Sequence, residues 1–203
     1  MRIIRDLCSF LIAAAVLIAA CNNNKKTTNE RTKAENPREI TTGTDANTGL
    51  NNLTDLQKVT EDLQKLPPLS PDQLKTMIPE ELMDGKRLSC NATTDMGTGT
   101  VNAEYKINDS TDIKLIVYDC GGPGGAGIYS MQYLGRFNME SGNDYEYTKT
   151  IDFNRRKAIE KCQKDHNDCS LTYFTGTRFL IELEGDNVGI DRLKQAANSL
   201  AIK

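Results

Sequence analysis

The chain has 203 residues, with 25 basic and 28 acidic side chains, a net charge of −3, one histidine, no tryptophan and six cysteines. A mildly acidic chain lacks the positive footprint with which proteins hold phosphate backbones, so nucleic acid is not expected as a partner. The length suits one ordinary domain with an appended tail rather than several domains.

The first residues read as an export signal. Arg2 and Arg5 supply positive charge, and an apolar run from Leu7 to Ala20 follows, broken only by Ser9. At about fourteen residues this run is too short for a hydrocarbon core that needs roughly 20, but it has the length of a signal's apolar segment. It ends in Ile18-Ala19-Ala20-Cys21, which resembles the lipobox of bacterial lipoproteins. The resemblance implies cleavage after residue 20, diacylglycerol on the Cys21 thiol and an acyl chain, typically palmitate, on the new amine. Two or more chains anchor a protein stably where one does not. The expected address is therefore the cell envelope, with the membrane as a partner through the lipid. Asn22, in place of the aspartate that retains some lipoproteins at an inner membrane, points to the outer membrane facing the periplasm, with surface exposure left open. From residue 22 to 49 the only large apolar side chain is Ile40, a composition that predicts a disordered tether. The single domain is then expected over residues 50–203.

Within it, Leu50, Leu53, Leu56, Val59, Leu63 and Leu66 recur at helical spacing. Thr54-Asp55-Leu56-Gln57 offers a capping box, and Pro67-Pro68 ends the helix. Ser70-Pro71-Asp72-Gln73 is a second start, with an N-cap serine and proline at the first helical position; Leu74, Met77 and Ile78 follow. Pro79 is expected to open one more helical turn over Glu80-Glu81-Leu82-Met83, closed by Gly85. The period then becomes two. Val101, Ala103, Tyr105 and Ile107 alternate with polar residues, residues 114–118 form an apolar strand, and Tyr147, Lys149, Ile151 and Phe153 alternate again. Phe179, Ile181 and Leu183 do likewise, with Glu182 and Glu184 facing water, after a hairpin at Thr175-Gly176-Thr177. Ile128, Met131 and Leu134 suggest a helix of about three turns, and Ile190, Leu193, Ala197 and Leu200 a closing helix. The order predicts an α+β fold whose antiparallel sheet of about six or seven strands is packed with N-terminal, middle and C-terminal helices.

The run Leu66-Pro67-Pro68-Leu69-Ser70-Pro71-Asp72-Gln73-Leu74-Lys75, followed by Ile78-Pro79-Glu80-Glu81-Leu82 and Gly85-Lys86-Arg87, resembles the opening of a group of bacterial envelope lipoproteins without assigned activity. The resemblance implies placement and architecture, and no chemistry.

Cys90, Cys120, Cys162 and Cys169 lie in the expected domain. An even count in an exported protein favours disulfides, and four cysteines allow three pairings. Cys162–Cys169 is favoured because residues 164–168 read as a hairpin tip, where facing residues come close enough to bond; Cys90–Cys120 would be the second. Cys162-x₃-His166-x₂-Cys169 is the metal alternative, one ligand short of a closed zinc site, so no metal is expected. Asp119-Cys120-Gly121-Gly122-Pro123-Gly124-Gly125-Ala126-Gly127 places amides at a helix start, where Gly121, Gly122, Gly124 and Gly125 could contact a ligand. No G-x-S-x-G elbow and no P-loop lysine accompanies it. The leading expectation is a non-enzymatic domain, without cofactor, that binds an envelope protein or small ligand or serves envelope maintenance. The alternative is a thiol-dependent redox protein or hydrolase using Cys120, with His166 as base, or the Cys162/His166/Cys169 cluster.

Overall fold

The computed structural model describes residues 53–175 and 177–202; the expected signal segment, the Cys21 anchor, the tether and Gly176 lie outside them. Helix α1 spans Leu53–Lys65 and α2 spans Pro71–Thr76. Strands β1 (Glu81–Leu82), β2 (Gly85–Asp95), β3 (Thr98–Asn108) and β4 (Thr111–Asp119) follow. Helix α3 (Gly122–Ile128) runs into a π-helical turn over Tyr129–Tyr133 and a 3-10 turn over Leu134–Arg136. Then come β5 (Ser141–Gly142), β6 (Glu146–Phe153), β7 (Arg156–Gln163), β8 (Asp168–Thr175), β9 (Phe179–Asp186) and α4 (Ile190–Ser199).

Among the described residues the strands form one nine-stranded sheet, ordered β1-β2-β3-β4-β9-β8-β7-β6-β5, with every pair antiparallel. Two meanders thus meet at the β4–β9 seam. The fold is α+β, as the order of elements predicts. The sheet exceeds the expected six or seven strands because β1 and β5 are two residues each, too short to show a period. Glu81 and Leu82 pair with β2 instead of making the expected helical turn. Met83, with φ of 56°, reverses the chain so that Leu82 faces Gly85. The two-residue connections at Met96-Gly97 and Asn154-Arg155 both hold positive φ, as hairpins of the twist-compatible type require.

Alternation sorts the side chains onto two faces. The covered face carries Val101, Ala103, Tyr105, Ile113, Leu115, Val117, Leu171, Ile181 and Leu183 in one buried cluster with Leu74 of α2 and Leu193 and Ala197 of α4. Helix α2 forms where the sequence signals it. Ser70 Oγ accepts from the Gln73 amide at 3.3 Å while Gln73 Oε1 accepts from the Ser70 amide at 2.9 Å, a reciprocal cap. Gly99 of β3 leaves room for Leu74, whose Cδ1 would stand 2.6 Å from a Cβ there.

The second face is covered only at one end. Cys120, Ala126, Tyr129, Tyr133, Ile159, Phe174 and Leu180 cluster there with Leu63 of α1. Ala126, Tyr129 and Tyr133 bury their side chains while Met131 is 73% exposed. Of the expected stripe, Ile128 and Leu134 pack partly buried against this cluster, whereas Met131 within the π turn faces solvent and Tyr129 and Tyr133 are buried in its place. α1 is described from Leu53, and the side chain of Thr54, on which the expected capping box turns, lies outside the described residues. No helix of the described residues is long and apolar enough to cross a membrane.

Candidate functional site

Along the half-open face the strands change character midway. Leu180 of β9 gives way to Glu182 and Glu184, Phe174 of β8 to Thr172 and Ser170, and Ile159 of β7 to Lys161 and Gln163. All keep one parity, so all keep one side of the sheet. Register puts Lys114, Glu184, Ser170, Lys161 and Thr148 in one row across five strands, and Ile116, Glu182, Thr172 and Ile159 in the next. Arg136, Met139 and Ser141 stand beside this polar floor, and together they bound a groove of about 560 Å³. That size is within the usual range for small-molecule sites.

Several polar groups of the groove face solvent without a protein partner. Among the described residues the side chains of Arg136, Lys161, Gln163, Ser170, Thr172 and Glu182 make no hydrogen bond or ion pair, although Thr172 is only 3% exposed. Glu184 is satisfied by Lys114 at 3.1 Å, and Asp168 accepts the Asn187 amide at 2.7 Å. Burial raises the Glu182 carboxyl above its ordinary range, Glu184 reinforces the shift, and Arg136 and Lys114 oppose it.

Two buried carboxylates elsewhere differ in this respect. Asp119, fully buried, accepts from Arg178 Nε at 2.6 Å and Nη2 at 2.9 Å, from the Leu69 amide at 2.7 Å and from the Gly121 amide at 3.0 Å. Arg178 also donates to the Pro67 carbonyl. Glu160, beneath α4, accepts from Tyr147 Oη at 2.6 Å and lies 3.2 Å from Lys149 Nζ and 2.9 Å from Lys194 Nζ. Burial works against its charge, but these hydrogen bonds prevail and hold its carboxyl below the ordinary range. Both act as internal fastenings.

The cysteines divide. Cys162 and Cys169 are opposite residues of β7 and β8 and are bonded, with Cα atoms 4.1 Å apart. The second expected bond is not formed: Cys90 and Cys120 are free. Cys90 packs against the covered-face core while Cys120 belongs to the other cluster, so the sheet lies between them. Burial pushes the Cys120 thiol up to about 12, far from a thiolate nucleophile. His166, exposed at the β7–β8 tip, is also remote from it. Cys120 accompanies Arg178 at the β9 start, and β8 runs between the two sites for about 24 Å at ~3.4 Å per residue. With its cysteines oxidised, the Cys162/His166/Cys169 set has no thiolate to offer a metal, and no metal-holding group is found among the described residues.

The glycines at the start of α3 face protein. A Cβ on Gly121 would stand 2.7 Å from Arg178 Nη2, on Gly124 2.3 Å from the Met96 carbonyl oxygen, and on Gly125 2.4 Å from that of Asp119. Gly122 adopts φ of +80° with Pro68 Cγ 2.9 Å from the Cβ position. Close approach of the Leu66–Pro68 segment, the β2–β3 turn and β4 accounts for the glycine run, and the Gly121 amide is taken by Asp119 Oδ1. The groove, in contrast, was not among the sequence-derived sites. Its signal was the same-parity switch from apolar to polar along β7, β8 and β9. No protein-family model, curated protein or solved structure matches this chain, so no family is assigned to it.

Proposed function

We propose that the chain is a lipid-anchored protein of a bacterial envelope whose domain holds a small ligand or a short segment of an envelope protein in the half-open groove, without transforming it. The observation that carries the binding reading is the set of unpaired polar side chains over one concave floor. Arg136, Lys161 and Gln163 are exposed and Ser170 and Glu182 partly so, and a ligand seated over them would meet hydrogen-bonding groups that no protein side chain occupies. The anchor rests on Ile18-Ala19-Ala20-Cys21, and the burial of Cys120 together with the Cys162–Cys169 bond argues against thiol chemistry.

Two experiments test the two parts. Radiolabelled palmitate should enter the wild-type chain and not Cys21→Ser, which should leave the membrane fraction. A thermal-shift screen of soluble envelope metabolites should find a stabilising ligand whose effect disappears in Ser170→Trp, which fills the groove floor. Stabilisation that survives this substitution would move the site elsewhere.

A further inference from the structure

Resting on that reading, we infer that the groove receives the two ends of a short zwitterionic peptide, its ammonium at Glu182 and its carboxylate at Lys161. Of the carboxylates lining the floor, Glu184 is neutralised by Lys114 and Asp168 holds the Asn187 amide. Glu182 alone lacks a partner, with Arg136 and Lys114 as the cations that face it. Across β8, on the same side, Lys161 carries an equally unpaired ammonium.

A purely cationic ligand would use Glu182 alone, a purely anionic one the solvent-exposed ammonium of Lys161 alone, and a zwitterion both. The separation sets the length. Glu182 registers with Thr172 and Lys161 with Ser170, the adjacent inward position of β8. Two strand spacings of ~4.8 Å and one step of ~7 Å along the strand put their backbones about 12 Å apart. Three extended residues span about 10 Å, so a tripeptide, with ~3 Å of hydrogen-bond contact at each end, reaches both groups once the side chains lean apart. Thr172 and Ser170 between them offer hydroxyls to the peptide groups in the middle.

The test titrates the ¹⁵N-labelled full chain, in detergent micelles, with trialanine, N-acetyl-trialanine and trialanine amide, following the amide signals of Ser170 and Thr172. Free trialanine should bind, and capping either end should weaken binding by about 10-fold, or ~1.4 kcal/mol. Glu182→Gln should abolish the preference against the acetylated peptide only, and Lys161→Met the preference against the amide only. Equal binding of free and capped peptides, or no response to trialanine, overturns the assignment. Maltose serves as a neutral probe. If it shifts these signals and trialanine does not, the groove stands and the peptide falls. If neither does, both readings fall.

Discussion

Removing the Asp119 side chain tests whether the chain's turn from β4 into α3 is held by electrostatics. The carboxylate is fully buried and answers four donors, two of them on Arg178, itself 16% exposed at its side chain. Asp119→Ala leaves the guanidinium without its counter-charge and two backbone amides without an acceptor. Breaking a buried pair from one side costs about 3–5 kcal/mol, and each orphaned amide adds roughly 1 kcal/mol where water cannot reach it. A loss of about 5–7 kcal/mol is expected, which at ~2–4 °C per kcal/mol lowers Tm by about 10–28 °C. Asp119→Asn keeps the shape but only one of the two amide contacts, because Leu69 and Gly121 donate to different carboxylate oxygens and an amide NH2 cannot accept, so it should lose less than alanine but still destabilise. Urea unfolding of wild type, Asp119→Ala, Arg178→Ala and the double variant closes a cycle, and the double loss should fall at least ~2 kcal/mol short of the summed single losses. A single loss below ~1 kcal/mol, or simple additivity, would refute the reasoning.

Cys162→Ala/Cys169→Ala should lose roughly 2–3 kcal/mol in urea, since the bond closes a short loop with a sequence separation of 7; an unchanged midpoint would show the bond to be absent in solution. Under alkylation read by peptide mass mapping, Cys90 should react in the folded protein and Cys120 only on unfolding, because Cys120 is buried and its thiol is pushed up to about 12. Gly124→Ala should destabilise by about 1–3 kcal/mol through overpacking, while Gly127→Ala, with nothing within 4 Å of its Cβ position, should gain about 0.5–1 kcal/mol of helix propensity; equal effects would refute the packing account of the loop. The carboxylates Glu182 and Glu160 should respond to pH with opposite sign. Glu182, raised by burial, disfavours the folded state once ionised, so Glu182→Gln should stabilise at pH 7, with the gain fading as pH falls from that raised range to the ordinary glutamate range. For Glu160, held low by its hydrogen bonds despite burial, Glu160→Gln should destabilise at pH 7, and wild type should lose the same stabilisation as pH falls through that carboxyl's lowered range. Urea midpoints at pH 3, 5 and 7 decide between these outcomes.

What the sequence conveys depends on whether a feature is periodic. β3, β6 and β9 are legible because the residues turned to the covered face alternate with polar ones, and β4 because it is apolar nearly throughout. The cap at Ser70 is legible because its two hydrogen bonds join residues three apart. β1 and β5 are fixed by their neighbours' open edges, and two residues carry no pattern of their own. The π turn hides in the same way, since five residues carry no period of their own, and there Met131 faces solvent while Tyr129 and Tyr133 are buried. Cys162–Cys169 is a local pairing across one hairpin; Cys90 and Cys120 are assigned to faces by strand parity, which a cysteine count ignores. The groove escapes because Glu182, Thr172 and Lys161 look like any solvent-facing positions. Only the fold shows that they sit side by side under the Arg136–Ser141 segment.

The seam between the two meanders bears on how quickly this chain becomes native. Every other pairing joins strands that are successive in the chain, so each can zip from its own turn. At the junction of β4 with β9, Asp119 and Arg178 lie 59 residues apart. Closing so long a loop costs about 2.4 kcal/mol more entropy than closing a four-residue hairpin. Folding is then expected to wait on one late encounter of two preformed halves, and substitutions at Leu115 or Leu183, which face each other there, should slow refolding in stopped flow more than equally destabilising ones within either half.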